Sequence, residues 1–200
     1  PIVLAAGAGE RFRDVGHKLT AMLPGTTTRS PERVVTRSLA AAEAAELGAV
    51  IVVTGMLSAA ELGLADDPAT GQTDVITVHN PDWRTGQMTS VRAGLSVAAF
   101  HGSDVAVIGL ADQPGIEPSA WRAVATAADA ASPIAVATYD GRRGNPVALH
   151  HTIWDQLPSE GDEGARSLMR LRPELVVEVP CSGSPTDIDT AEDLRRWQSS

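Results

Sequence analysis

Short β-branched apolar runs alternate with amphipathic stretches along most of the chain. The apolar runs predict strands over residues 2–5, 49–54, 74–78, 104–110, 134–138 and 175–179. Between them Val35, Leu39 and Ala42 share a helix face, as do Met88, Val91, Leu95 and Ala98, and later Trp121, Val124 and Ala128. A last helix is expected near Thr190, with Thr190 as its cap and Asp193 three residues on. Strands apolar on both faces, alternating with helices, imply a mainly parallel sheet covered on both sides. The expected fold is therefore α/β, a single three-layer domain over residues 1–200. No internal repeat or low-complexity linker divides it, and 24–31 and 65–72 read as loops within one domain.

Composition narrows the partners. The chain has 25 acidic and 16 basic residues, a net charge of −9. An acidic chain without a basic stripe is poorly suited to nucleic acid, whose affinity comes largely from Lys and Arg on phosphates. No apolar run approaches the roughly 20 residues of a membrane span. The opening segment Pro1 to Ala6 reads as a first strand rather than a signal peptide, because no basic segment precedes it and a glycine-rich loop follows. Cys181 is the only cysteine, so neither an internal disulfide nor a cysteine-cluster metal site is expected, and a reducing cytoplasm suits the chain. Fifteen of the basic residues are Arg; Lys18 is the only lysine.

In a parallel α/β sheet, ligands gather where strands end. The first strand runs into LAAGAGERF, residues 4–12, a loop in which glycines let backbone N–H groups approach phosphates. Gly7 and Gly9 could begin a dinucleotide fingerprint, but its third glycine position is Phe12, and no Walker A pattern is present. The competing reading is a nucleotidyltransferase loop, with Arg11 and Lys18 carrying phosphate charge; an ordinary turn with a solvated Arg would look similar. A second strand ends in LADQP, residues 110–114. Pro114 stops it and presents Asp112 at the sheet edge, where a carboxylate suits Mg²⁺ on a triphosphate; capping the next turn is the plainer role. Asp187 and Asp189 offer two more carboxylates just before a helix, where an Asp is often only a cap.

Taken in order, LAAGAGERF with Lys18, LADQP, GRRGNPVAL (141–149), GDEGAR (161–166) and DIDTAEDL (187–194) resemble the MobA-like nucleotidyltransferase family, and within it the molybdenum cofactor cytidylyltransferase branch. The resemblance implies a Rossmann-like domain akin to glycosyltransferase A folds. It places Leu4, Ala5, Ala6, Gly7, Ala8 and Gly9 around base and triphosphate, with Arg11 and Lys18 on the phosphates. Thr54 and Gly55 would lie beside base and ribose, and Asn80, Gly86 and Ser90 would complete the nucleoside pocket. Asp112 would hold Mg²⁺, with Asp187 or Asp189 as second ligand and Asp187 preferred. Gly144, Asn145, Pro146, Asp162 and Arg166 would face the acceptor.

The same resemblance implies CTP in preference to GTP, since LAAG rather than LAGG stands at Ala6, and the terminal phosphate of molybdopterin as acceptor. It also implies a molybdoenzyme or its chaperone as protein partner. Two departures stand out. Residues 19–33 are longer and more polar than the family's usual stretch, and Asn145 stands where relatives often have His. Acceptors such as sugar phosphate, methylerythritol phosphate or phospholactate fit the same motifs, as does a non-catalytic nucleotide-binding protein. His17, His79, His101, His150 and His151 show no metal-ligand spacing, and His150–His151 is expected to start an exposed helix.

Overall fold

A computed structural model describes residues 1–25, 30–64, 75–163 and 165–198; the side chains of residues 13–15 are also left aside. Residues 26–29 of the first expected loop, the whole of the second (65–72), and Asp74 of the third expected strand lie outside the described residues. Seven strands form the main sheet: β1 (Ile2–Ala5), β4 (Val50–Thr54), β5 (Val75–His79), β6 (Val105–Leu110), β7 (Ile134–Tyr139), β8 (Arg142–His150) and β9 (Val176–Pro180). A separate two-stranded ribbon joins β2 (Met22–Leu23) to β3 (Glu32–Arg33). The order in the main sheet is β5-β4-β1-β6-β8-β7-β9. Every neighbouring pair is parallel except the two that involve β8.

The helices are α1 (Val34–Glu43), α2 (Ala59–Leu62), α3 (Gln87–Phe100), α4 (Pro118–Ala127), α5 (Arg166–Leu171) and α6 (Ala191–Gln198). Alternation along the strands sends successive side chains to opposite faces. Val3, Val50 and Val52 pack with Val35 and Leu39 of α1 and with Trp121 and Val124 of α4. Ile2, Leu4, Ile51 and Val53 pack on the other side with Met88, Val91 and Leu95 of α3 and Met169 of α5. This is the three-layer arrangement that the apolar periodicity implies. The Thr190 cap is also present: Thr190 Oγ1 accepts from Asp193 N at 3.1 Å, and Asp193 Oδ2 accepts from Thr190 N at 2.8 Å.

The strand β8 is the main departure from the periodicity, which gave residues 141–149 no strand. Its antiparallel run follows from the connection before it. Asp140 and Gly141 have φ of 50° and 74°, the left-handed pair of a two-residue hairpin turn for which Asp-Gly is suited. Along the pair the register shifts, Val136 facing Val147 but Ala137 facing Gly144. Asn145 and Pro146 are left in the bulge, the kind of irregularity that re-aims a side chain. After β8 the chain makes a 3-10 helix, His151–Gln156, rather than an α-helix, with His150 Nδ1 accepting from Thr152 N at its start. No described helix is long and apolar enough to cross a membrane.

Candidate active site

The ends of β1 and β6 lie side by side, and Ala111 N donates to Leu4 O at 3.0 Å. Beyond them the chain from Leu4 to Ala8 wraps a cavity of ≈ 680 Å³, to which Lys18, Ser90, Asp112 and Asp162 also contribute. The loop is anchored at both ends. Phe12 is buried with Leu23, Val34 and Ile188, and its N–H donates to Gly9 O at 2.9 Å. His17 fastens the middle: its Nε2 meets Gly7 O at 3.1 Å and its Nδ1 accepts from Leu19 N at 3.3 Å. With Nδ1 as acceptor, Nε2 carries the proton. Burial lowers the imidazole's pKa, the bond to Gly7 partly opposing and the nearby Lys18 charge adding to the fall. Sequence spacing left His17 out because it searched for metal ligands; its place beside the only lysine was the available signal.

At the cavity floor, Lys18 Nζ lies 2.5 Å from Asp112 Oδ2 and 2.7 Å from Asp189 Oδ1. Arg11 Nη2 sits 3.0 Å from the other oxygen of Asp189, with its own side chain 74 % exposed. Burial disfavours the Lys18 charge, but the two carboxylates outweigh it and the ammonium's pKa is raised. Asp112 Oδ1 is buried and has no hydrogen-bond partner. An orphaned carboxylate oxygen in a buried position is costly, and a hard cation bound at that oxygen would satisfy it. No cluster of three His, Cys, Asp or Glu side chains suited to a metal occurs among the described residues. The carboxylates that converge are Asp112 and Asp189.

Asp187, two residues earlier, has a different setting. Its Oδ1 accepts from Gln113 Nε2 at 2.6 Å, and Gln113 Oε1 accepts from Asn145 Nδ2 at 3.0 Å. Burial, together with the Asp112 charge, pushes the Asp187 carboxyl up. Gln113 is 5 % exposed and joins the carboxylate segment to the β8 bulge. Sequence reasoning used it only as the residue before Pro114.

The other residues that the resemblance assigned to the nucleotide divide by depth. Leu4, Ala5, Ala6, Gly7, Ala8, Gly86 and Ser90 line the cavity. Gly9, with φ of 59°, backs onto His17. Thr54 and Asn80 are buried behind the wall. Asn80 Nδ2 donates to Thr89 Oγ1 and Ser90 Oγ at 2.8 and 2.9 Å, and its Oδ1 accepts from Asp82 N at 3.0 Å, which fixes the entry into α3. Gly55 lies against Ala6: a Cβ there would come within 2.7 Å of the Ala6 methyl.

A second chamber, ≈ 320 Å³, adjoins the first and shares Gln87 and Leu110 with it. Gly144, Asn145 and Arg166 line it, among aliphatic side chains that include Val91, Ile108, Val147, Leu149 and Met169. Pro146 is in β8 outside its lining, and Asp162 belongs to the first cavity, where its Oδ1 accepts from Gln87 N at 3.2 Å. The first cavity also contains Trp83, with the Arg84 guanidinium 4.2 Å from its ring centroid, a pair that the periodicity did not single out.

The MobA-like NTP transferase domain matches residues 1–178. A nicotine blue oxidoreductase from Paenarthrobacter nicotinovorans is 31% identical over 209 residues, covering 98% of this chain and 94% of that protein. Among solved structures, a nucleotidyl transferase from Methanothermobacter thermautotroptrophicus superposes with a TM-score of 0.77 at 24% identity, over 99% of this chain and 94% of that one. A Mycobacterium tuberculosis H37Rv protein in complex with manganese gives 0.69 at 24% identity, over 100% and 96%.

Proposed function

We propose that this chain, which belongs to the MobA-like NTP transferase family, works as one catalytic domain. It transfers a nucleoside monophosphate, CMP from CTP, onto the terminal phosphate of a molybdopterin-type acceptor. The observation that carries this reading is the Lys18 ammonium set between Asp112 and Asp189 at the floor of a cavity wrapped by the Leu4 to Ala8 loop. An acceptor phosphate oxygen attacks the α-phosphorus in line, forming the new P–O bond as the α–β bridging bond breaks and pyrophosphate leaves. That nucleophile is ionised at neutral pH, so no strong general base is required. Lys18 and Arg11 carry the charge of the departing pyrophosphate.

The family implies a divalent metal, and one structural neighbour carries manganese; Mg²⁺ is the ion proposed here. Asp112, through its unpartnered Oδ1, and Asp189 would hold it. When bound it supplies charge neutralisation and orientation at the α-phosphate. Asp187, tied to Gln113, is assigned to holding the β8 bulge in register. The acceptor is placed in the adjoining chamber, beside Asn145 and Arg166. CTP is favoured on the resemblance at Ala6, and a molybdoenzyme or its chaperone, in the cytoplasm, is the expected recipient of the product.

A second reading has one supporting observation, because the relative 31% identical over nearly the whole chain is named an oxidoreductase. The test runs both chemistries on one preparation. Pyrophosphate release is followed with CTP, GTP, UTP or ATP, Mg²⁺ and molybdopterin, and oxidation of reduced nicotinamide cofactors is followed separately. A thermal-shift panel of the four nucleotides with Mg²⁺ reports binding without the acceptor. Release of pyrophosphate, greatest with CTP, supports the transferase reading. Hydride chemistry with neither nucleotide stabilisation nor pyrophosphate release replaces it, and GTP preference overturns the CMP assignment alone.

A further inference from the structure

Lys18 Nζ sits between the carboxylates to which the metal was assigned, on Asp112 Oδ2 and Asp189 Oδ1. Asp112 Oδ1 stays open, but Asp189, with Arg11 on its Oδ2, offers a metal no free oxygen until Lys18 leaves. Lys18 and Asp112 are each only 14 % exposed and Asp189 is 25 % exposed, so water does little to screen the three charges. Arg11 binds the opposite oxygen of Asp189 and leaves the Asp189 oxygen that faces the gap to Lys18. An ammonium and a divalent ion in the same gap would repel strongly. Without either, Asp112 would have no cationic partner and Asp189 only the largely exposed Arg11, an arrangement that is costly for partly buried carboxylates. A cation in the gap is therefore favoured, and the chain supplies its own.

We propose that Lys18 is a built-in counter-cation: it fills the gap between Asp112 and Asp189 until a triphosphate draws it away, so that the divalent metal enters together with the nucleotide. The proposal rests on the nucleotidyltransferase reading above. Its geometry is favourable, because Lys18 and Asp112 line the same cavity. The exchange keeps charge balanced, since the phosphates gain the ammonium and the carboxylates gain the metal. It also gives the only lysine in an arginine-rich chain a reason to be lysine. An ammonium is a compact charge on a flexible stem that can move between two anionic partners, whereas a planar guanidinium holds fixed, forked contacts. Coupling of this kind is reciprocal, so metal and nucleotide strengthen each other's binding by the same factor.

The experiment uses the full chain and Mn²⁺ as probe, with free Mn²⁺ read by electron paramagnetic resonance. Wild type, Lys18→Met and Lys18→Arg are titrated alone, then with the α,β-methylene analogue of whichever nucleotide stabilises the protein most. Wild type should bind Mn²⁺ weakly alone and about tenfold or more tighter with the analogue. Lys18→Met should bind Mn²⁺ alone about tenfold or more tighter than wild type, with little further gain from the analogue. Lys18→Arg keeps a cation in the gap and should stay weak alone. Wild type binding Mn²⁺ equally well with and without the analogue overturns the proposal, whatever the variants do. So does a folded Lys18→Met that binds no tighter than wild type. Failure of the transferase reading looks different: no nucleotide stabilises the protein and no pyrophosphate is released, while the Mn²⁺-only comparison of wild type and Lys18→Met still reports on the gap.

Discussion

The two adjoining cavities are built from opposite materials. The larger, ≈ 680 Å³, is made of a backbone loop, an ammonium and carboxylates. The smaller, ≈ 320 Å³, has aliphatic walls drawn from α3, α5, β6, β7 and β8, together with Arg143, Glu163, Arg166 and Arg170. Several of those walls, Val91, Ile108, Leu149 and Met169, also belong to the core on that face of the sheet. The chamber is thus an opening in the core, whereas the larger cavity, proposed for the nucleotide, touches the core only through residues such as Leu4, Ala5 and Leu19. Charge neutralisation should dominate in the first and shape and desolvation in the second, so substitutions in the two should fail in different ways.

The sharpest separation comes from Asp112→Asn. It keeps shape and removes charge, and is expected to lower nucleotidyl transfer by about 100-fold or more while the fold persists. Steady-state pyrophosphate release together with a thermal melt checks both halves; near-normal turnover would remove Asp112 from the chemistry. Next is Gly86, which lines the larger cavity and directly precedes Gln87, a residue common to both. Gly86 has φ of 124°, and a Cβ there would come within 2.5 Å of the Gly161 backbone. Gly86→Ala should cost about 1–3 kcal/mol in stability and weaken nucleotide and acceptor together. A variant with wild-type denaturation and unchanged affinity for both would show that the wall yields easily.

Met169→Gln acts on the chamber and the core behind it but not on the larger cavity. Placing an amide among aliphatic walls without a partner costs about 1–3 kcal/mol, so the acceptor's KM should rise about tenfold with nucleotide affinity unchanged. If nucleotide affinity falls equally, the two cavities are one site. The smallest effect concerns Asp187, whose pKa is raised by burial and by Asp112. A carboxyl raised in the folded state favours folding below its ordinary pKa, and that contribution is lost as pH rises through the folded value. Asp187→Asn keeps an acceptor for Gln113 and escapes this loss. It should melt slightly above wild type at neutral pH, the gap closing toward pH 4. A lower melting temperature at neutral pH would mean that the charge of Asp187 stabilises the fold.

Legibility in the sequence follows the same division. The loop from Leu4 to Gly9 and Asp112 were found because each follows a strand end, and strand ends follow from local apolar runs. Lys18 was found as the only lysine, downstream of Arg11 where phosphate charge is needed. The chamber had no such signal beyond Gly144, Asn145 and Arg166, because its walls are ordinary core residues whose vacancy depends on how five elements meet. Asn80 and Thr54, which the resemblance puts beside the nucleoside, are buried and hydrogen-bonded behind the cavity wall. The hairpin into β8 was legible in Asp140–Gly141, but apolar periodicity gives that turn no weight.

The sequence by itself determined the α/β alternation, the two faces of each central strand, the Thr190 cap and the segments that could bring phosphate and carboxylate together. These depend on neighbours within a few residues, where periodicity and turn chemistry act directly. Tertiary structure alone decided that Asp189 rather than Asp187 meets Lys18, across 171 residues of chain. It also set β8 beside β6 and gave His17 to the glycine loop. Two carboxylates two positions apart are indistinguishable by composition. What separates them is the direction in which packing of Ile188, 1 % exposed in a small cluster with Phe12, Leu23 and Val34, turns the segment on either side.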